Sequence, residues 1–116
     1  MKKNIKALKF GGNIILFIGG LFMYLIAVYD VSFIEDEKKG KTRIVKLMKL
    51  FRKYLHHTQK SVFEGEISEA KFFKLKREVF HLISWEDSVV FYEIENKNNL
   101  NREILGKNNK RTDNIL

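Results

Sequence analysis

The residue best placed for chemistry is Asp30, which follows an unbroken run of apolar and aromatic residues at positions 24–29. A continuous apolar run that is rich in Val, Ile and Tyr is typical of a strand buried on both faces. Open sheets often carry their functional groups where such a strand ends. A carboxylate there has to be solvated, paired or bound to a metal, because burying it alone costs too much free energy.

Two interpretations of Asp30 remain open on this pattern. The carboxylate could cap the loop that follows the strand, or it could be a ligand of Mg²⁺, which takes one or two carboxylates and keeps several waters. One Asp30 makes a poor magnesium site, whereas two copies brought together across the two-fold axis of a dimer make a reasonable one. A water activated by that metal could then cleave phosphodiester bonds.

A strongly basic segment is the second candidate for function. Between positions 38 and 60 there are nine basic residues and no acidic one, and the whole chain has a net charge of +8. The spacing of apolar residues predicts a helix over residues 42–54, with Thr42 as its N-cap and one apolar face. The residues on its other side are basic: Arg43, Lys46, Lys49 and Lys53. We predict that these four contact nucleic-acid phosphates, and a merely solvated surface is the alternative.

No standard catalytic motif accompanies these residues: the sequence has neither a glycine-rich phosphate loop nor a GxSxG motif. His56 and His57 are adjacent, a spacing that does not form a two-histidine metal face, and His81 lies on a second predicted helix. We therefore predict structural or surface roles for all three. The chain contains no cysteine, which excludes disulfides and thiolate metal sites and favours a reducing, cytoplasmic location.

The order of the predicted elements defines the fold class. We expect a strand at 24–31, the basic helix, a bent strand or strand pair at 56–67, a helix capped by Ser68, a strand at 89–95 and a short strand at 102–105. If the middle segment splits, the order is βαββαβ, the ferredoxin-like plan of the α+β class, with an extra C-terminal strand. The chain ends in Ile115 and Leu116, which we expect to pack on another subunit.

The first 22 residues conflict with this plan. Four lysines precede an uncharged run from position 10 to position 29, which is long enough to span a bilayer at roughly 20 residues. One segment cannot be both a membrane helix and a central strand. We favour the hypothesis that Met23 is the initiator and that residues 1–22 are upstream sequence, because Gly19-Gly20 can be encoded by a purine-rich ribosome-binding signal. The alternatives are a genuine but disordered leader and a membrane anchor.

Four short segments occur together in one known family. They are residues 23–32 (MYLIAVYDVS), residues 59–65 (QKSVFEG), Asp87-Ser-Val, and residues 102–106 (REILG). In this order and spacing they resemble the second universal CRISPR-associated protein family (Cas two). The resemblance covers essentially all of residues 23–116, and its beginning at Met23 supports the later start.

The resemblance implies a ferredoxin-like homodimer whose C-terminal strand packs on the partner subunit. It implies a role in spacer acquisition, as the central dimer that bridges copies of the Cas-one integrase on short duplex DNA. It also implies a metal-dependent endonuclease activity on RNA or DNA, with the magnesium ligand of the family at Asp30. The competing functions are a non-catalytic DNA-binding scaffold and, in a different class, a small membrane-anchored basic protein.

Overall fold

The computed structural model describes residues 5–10, 13–18 and 22–106, and of the first two segments only the backbone. Two short strands come first, and a unit of four strands and two helices follows. In chain order the elements are β1 (Ile5–Phe10), β2 (Asn13–Ile18), β3 (Phe22–Asp30), α1 (Glu37–Arg52), β4 (His56–Gln59), β5 (Val62–Ser68), α2 (Glu69–Leu82), β6 (Ser88–Ile94) and a 3₁₀ turn (Lys97–Asn99).

The second unit is built on one antiparallel sheet with the strand order β4-β5-β3-β6. Strand β3 is central and pairs with β5 on one side and with β6 on the other. The order of elements from β3 to β6 is βαββαβ, so the predicted α+β, ferredoxin-like fold is confirmed. The middle segment does split, into β4 and β5.

The core lies between one face of the sheet and the two helices. Alternate residues of β3 point into it, and the helices contribute amphipathic stripes. The largest fully buried side chains are Leu25, Leu47, Phe51, Phe63 and Leu75. This packing fixes β3, and therefore its terminal residue Asp30, relative to both helices.

The start of the basic helix differs from the prediction, because α1 begins at Glu37 rather than after Thr42. Its N-cap is Asp36, whose side chain accepts a hydrogen bond from the Lys39 N–H at 3.0 Å. Gly40 lies within the helix, and a Cβ there would be only 2.4 Å from the ring of Phe33. Close packing against the preceding loop, and not a turn, therefore accounts for this glycine.

Other boundaries show mixed outcomes. The predicted cap of α2 is confirmed, since the Ser68 hydroxyl accepts a hydrogen bond from the Lys71 N–H at 3.2 Å. The predicted short strand at 102–105 is wrong for the single chain, where this segment has no strand partner among the described residues. The expected packing of Ile115 and Leu116 falls outside the described residues.

The backbone of the N-terminal segment forms an antiparallel pair, β1 with β2, in a register that joins Ile5 to Ile18 and Phe10 to Asn13. The start at Met23 stays a prediction. Within the residues described, neither helix has the length and apolar character needed to cross a bilayer.

Candidate active site

Asp30 is the last residue of the central strand and is paired with Ser88 at the start of β6. The residue is exposed, and within the described part of the chain its carboxylate has no hydrogen-bond or ion-pair partner. No N–H of the following loop donates to it there, so the capping interpretation has no support. The carboxylate is free to bind a ligand.

One face of the sheet is not covered by helices. Because side chains alternate along a strand, Ile26, Val28 and Asp30 point away from the core. Tyr92 and Val90, which are 55% and 42% exposed, are paired with Ile26 and Val28 and lie on the same side. We call the surface formed by these four apolar residues the open face. Asp30 lies at its edge, and an exposed apolar surface of this kind is typical of protein association sites.

A second carboxylate, Asp87, lies just before β6 but is fully engaged. Its side chain has no exposed surface and accepts hydrogen bonds from Arg43 Nε at 2.7 Å, the Ser84 N–H at 2.8 Å and the Ser32 N–H at 2.9 Å. Burial alone would raise the pKa of Asp87, but Arg43 and the two N–H groups outweigh it and lower that pKa. Asp87 therefore joins the turn before β6 to the loop after β3, through the Ser32 N–H, and to α1, through Arg43.

A third carboxylate, Glu64, points to the same side as the open face but is only 3% exposed. Arg102 binds both of its oxygens, Tyr24 Oη donates to it at 2.7 Å, and Thr58 Oγ1 donates at 2.9 Å. Burial favours the protonated form, but these donors hold the pKa of Glu64 below its usual value. Burial and the bond to Glu64 raise the pKa of Tyr24 to about 12. The cluster fastens the segment around Arg102 across the sheet.

The structure separates the four basic residues that were predicted to bind phosphate. Arg43 is committed to Asp87 and also donates to the Ser32 carbonyl at 3.1 Å. Lys46, Lys49 and Lys53 are exposed, and we find no ion-pair partner for them in the described ranges. Lys46 and Lys49 lie on α1 and Lys53 is its C-cap residue, and the spacing of three and four positions places all three on one side. We call these three residues the lysine stripe.

The histidines are not brought together. His57 stacks on Phe63 with ring centroids 4.4 Å apart and has its Nε2 3.2 Å from the Lys60 carbonyl oxygen. Across the residues that the structure describes, no group of three or more His, Cys, Asp or Glu side chains could hold a metal ion. A metal at Asp30 would therefore need further ligands that do not come from a cluster of these described side chains.

Two engaged carboxylates were missed by reasoning from the sequence. Glu64 is buried because Arg102, which is distant in sequence, covers it, and the sequence pattern gives no sign of that contact. The ion pair of Asp87 was not predicted either, although Asp87 lies in one of the four family segments. A single acidic residue gives no sign of its partner when that partner lies 44 positions away, as Arg43 does from Asp87.

These features define a class of protein: a ferredoxin-like α+β domain with a free carboxylate at the end of its central strand and a row of exposed lysines on its first helix. The family model for CRISPR-associated protein Cas2 matches residues 23–102. The chain belongs to this family, as the four segments suggested.

Curated relatives and solved structures agree with the family match. A CRISPR-associated endoribonuclease Cas2 from Moorella thermoacetica is 43% identical over 93 residues, which are 79% of this chain and 100% of the relative. A second relative of that name, from Fusobacterium nucleatum, is 38% identical, and the match covers 100% of this chain and 100% of the relative. The crystal structure of Cas2 from Streptococcus pyogenes has a TM-score of 0.63 at 29% identity, over 72% of this chain and 100% of that one. Another Cas2 crystal structure has a TM-score of 0.67 at 32% identity, over 78% and 93%.

Proposed function

We propose that the chain is a magnesium-dependent endonuclease that acts as a homodimer in CRISPR spacer acquisition. The observation that carries the proposal is the free carboxylate of Asp30 at the edge of the open face. Curated relatives bear the name CRISPR-associated endoribonuclease, so RNA is the first substrate to test and DNA the second.

The open face supports the dimer. Two-fold dimers bury the same patch of both subunits, and burying apolar surface contributes about 25 cal/mol per Å². Tyr92 and Val90 provide such an apolar surface on the side of the sheet that faces away from the core. Because Asp30 lies at the edge of this patch, pairing of two open faces is an arrangement in which both Asp30 carboxylates could share one ligand.

The residues fit Mg²⁺ only when two chains are considered together. One chain supplies a single carboxylate at this position, and Mg²⁺ takes one or two while retaining several waters. Asp30 of each subunit would hold the ion. When bound, Mg²⁺ would supply activation of water and neutralisation of phosphate charge.

The chain's own residues position the reaction. In the hydrolysis, a water oxygen forms a bond to phosphorus, the bond to the leaving sugar oxygen breaks, and that oxygen takes up a proton. Pairing with β6 fixes the backbone of Asp30, and the ion pair of Arg43 with Asp87 holds the flanking loops. The lysine stripe binds backbone phosphates elsewhere on the substrate, in a manner that is independent of sequence and sensitive to salt.

A non-catalytic scaffold is the second candidate, and the lysine stripe favours it. Exposed lysines bind the phosphate backbone of both duplex and single-stranded nucleic acid through charge, with a steeper salt dependence for the duplex. In this role the dimer would join subunits of the Cas-one integrase on duplex DNA in the cytoplasm, and it would need no cleavage. The two roles are compatible in one protein.

Cleavage is tested by Asp30→Ala, with Glu66→Ala as the matched control. Glu66 is also an exposed carboxylate, and it is paired with Tyr24 on the same side of the sheet but farther along it. RNA cleavage in Mg²⁺ should fall by at least about 100-fold in Asp30→Ala, since even outer-shell partners of a metal are worth about 10–100-fold. It should persist in Glu66→Ala. Cleavage by Asp30→Ala at the parent rate would refute the assignment.

The scaffold role is tested by reversing the charge of the lysine stripe. The triple change of Lys46, Lys49 and Lys53 to Glu should abolish spacer uptake and flatten the salt dependence of DNA binding. As a control with the same change in net charge, Lys71, Lys74 and Lys76 of α2 are changed to Glu. Arg43 is unsuitable for this test, because its reversal would break a buried ion pair. Normal uptake with the reversed stripe would exclude it as the contact surface.

A further inference from the structure

The turn between α2 and β6 presents the chain's single tryptophan to solvent. The Asp87 N–H donates to the Ser84 carbonyl at 3.0 Å, and the Ser84 N–H donates to the Asp87 carboxylate at 2.8 Å. These two bonds close the turn, and Trp85 follows its first residue. Trp85 is 83% exposed. The indole is thus held on a fixed backbone but packs against little of the protein.

The surroundings of this turn are also fixed. Asp87 accepts a hydrogen bond from the Ser32 N–H, so the turn is attached to the loop that follows β3. On that loop Ile34 is 87% exposed. A single exposed aromatic is common on protein surfaces, but the hydrogen bonds of Asp87 fix the backbone that carries this one, so binding does not have to order the turn itself.

The turn lies close to the candidate catalytic residue. Trp85 is three positions before Ser88, which is paired with Asp30. Three residues span at most about 10 Å and paired Cα atoms lie about 5 Å apart, so the Cα atoms of Trp85 and Asp30 are within about 16 Å. A strand of about five stacked nucleotides, at ~3.4 Å each, covers that distance. One oligonucleotide can therefore contact both residues.

The local charge selects the part of a nucleic acid that would bind here. Burial and the nearby carboxylate of Glu35 raise the pKa of Glu86, the residue after Trp85. Two neighbouring acidic groups repel phosphate, so the turn does not attract the backbone. A base offers an uncharged aromatic face, and stacking on aromatic side chains is the common way in which proteins bind unpaired bases.

We propose that Trp85 is a stacking site for an unpaired nucleobase of the strand whose phosphodiester lies at Asp30. The assignment rests on the proposed function, since it takes the nucleic acid at Asp30 as given. It adds a recognition element to that site, and it requires single-stranded or opened substrate at this end of the sheet.

The test uses the fluorescence of Trp85 in the full-length Asp30→Ala variant with EDTA present, so that no substrate is cleaved. The probes are a short oligodeoxycytidylate and an abasic oligodeoxynucleotide of the same length, which has the same phosphates but no bases. The first should quench the emission and bind at least about five-fold more tightly than the second, as expected for one stacked base. Equal quenching and equal affinity for both probes would overturn the proposal.

Substitutions locate the effect, with affinity measured through a label on the oligonucleotide. Trp85→Ala should remove the preference for the base-containing probe, and Trp85→Phe should retain part of it. Phe80→Ala is the control, because Phe80 is similarly exposed but lies on α2. A preference that survives Trp85→Ala would also overturn the proposal. These experiments measure binding and not cleavage. If the cleavage test at Asp30 fails, the binding measurements at Trp85 can still be interpreted, so the two failures are distinguishable.

Discussion

Asp30, Glu64 and Asp87 lie on or directly beside the same sheet, and they differ in what surrounds them. Asp87 and Glu64 are buried and each is held by an arginine, Arg43 and Arg102 respectively. Asp30 is exposed and has no partner within the described residues. The first two connect segments that are 44 and 38 positions apart in sequence, whereas the third connects nothing. The two engaged carboxylates hold the fold together, whereas Asp30 is available for a ligand.

The largest effect on stability is expected for Asp87→Ala. The change leaves two backbone N–H groups and Arg43 without their acceptor, and breaking a buried ion pair costs about 3–5 kcal/mol. Unfolding in urea, followed by circular dichroism, measures the loss. Asp87→Asn keeps one acceptor oxygen, so its free energy of unfolding should lie between those of Asp87→Ala and the parent. A loss no larger than that of Asp30→Ala would remove the distinction between the engaged and the free carboxylates.

A smaller effect is expected for Arg102→Ala. Glu64 would keep its bonds from Tyr24 and Thr58, and Arg102 is itself partly exposed, so the loss should be about 2 kcal/mol. Cleavage by chymotrypsin within residues 100–106 should accelerate, because the ion pair holds this segment on the sheet. Arg102→Lys keeps the charge but not the two-pronged geometry and should recover only part of the stability. An unchanged cleavage rate in both variants would contradict the role given to the pair.

Acid should remove the stabilising contribution of the same two carboxylates, Asp87 and Glu64. The pKa values of Asp87 and Glu64 are lowered in the folded state, so their contribution to stability is complete above the unfolded-state pKa and is lost as the pH falls through the folded-state values. The free energy of unfolding should therefore decline from about pH 5 downward. Urea midpoints measured between neutral pH and pH 2.5 test this. The free energy of unfolding should decline less steeply with falling pH in Glu64→Gln than in the parent. An equally steep decline would show that other groups determine the pH dependence.

The smallest effect on stability belongs to Asp30→Ala, at most about 0.5 kcal/mol, since an exposed side chain without partners contributes little. The same urea series provides the measurement. A loss of more than about 1 kcal/mol would mean that Asp30 has a structural partner, and the loss of cleavage in this variant would then need a different explanation.

Reasoning from the sequence found the elements whose signals are local. The apolar run before Asp30 and the Ser68 cap depend on near neighbours, and both were predicted correctly. The start of α1 was missed because Gly40 is required by packing against Phe33, a contact that no helix propensity encodes. The ion pairs of Asp87 and Glu64 join residues far apart in sequence, so only the folded chain shows that Arg43 is occupied while the lysine stripe is free.

Whether two Asp30 residues make one site can be measured directly by mixing subunits. Parent and Asp30→Ala chains are unfolded together in equal amounts and refolded, so that subunits pair at random, and magnesium-dependent cleavage of RNA is then assayed. If both carboxylates of a two-fold dimer are needed, only dimers with two parent subunits cleave, and about one quarter of the parent activity should remain. Retention of about one half would show that each Asp30 acts alone and would contradict the shared site.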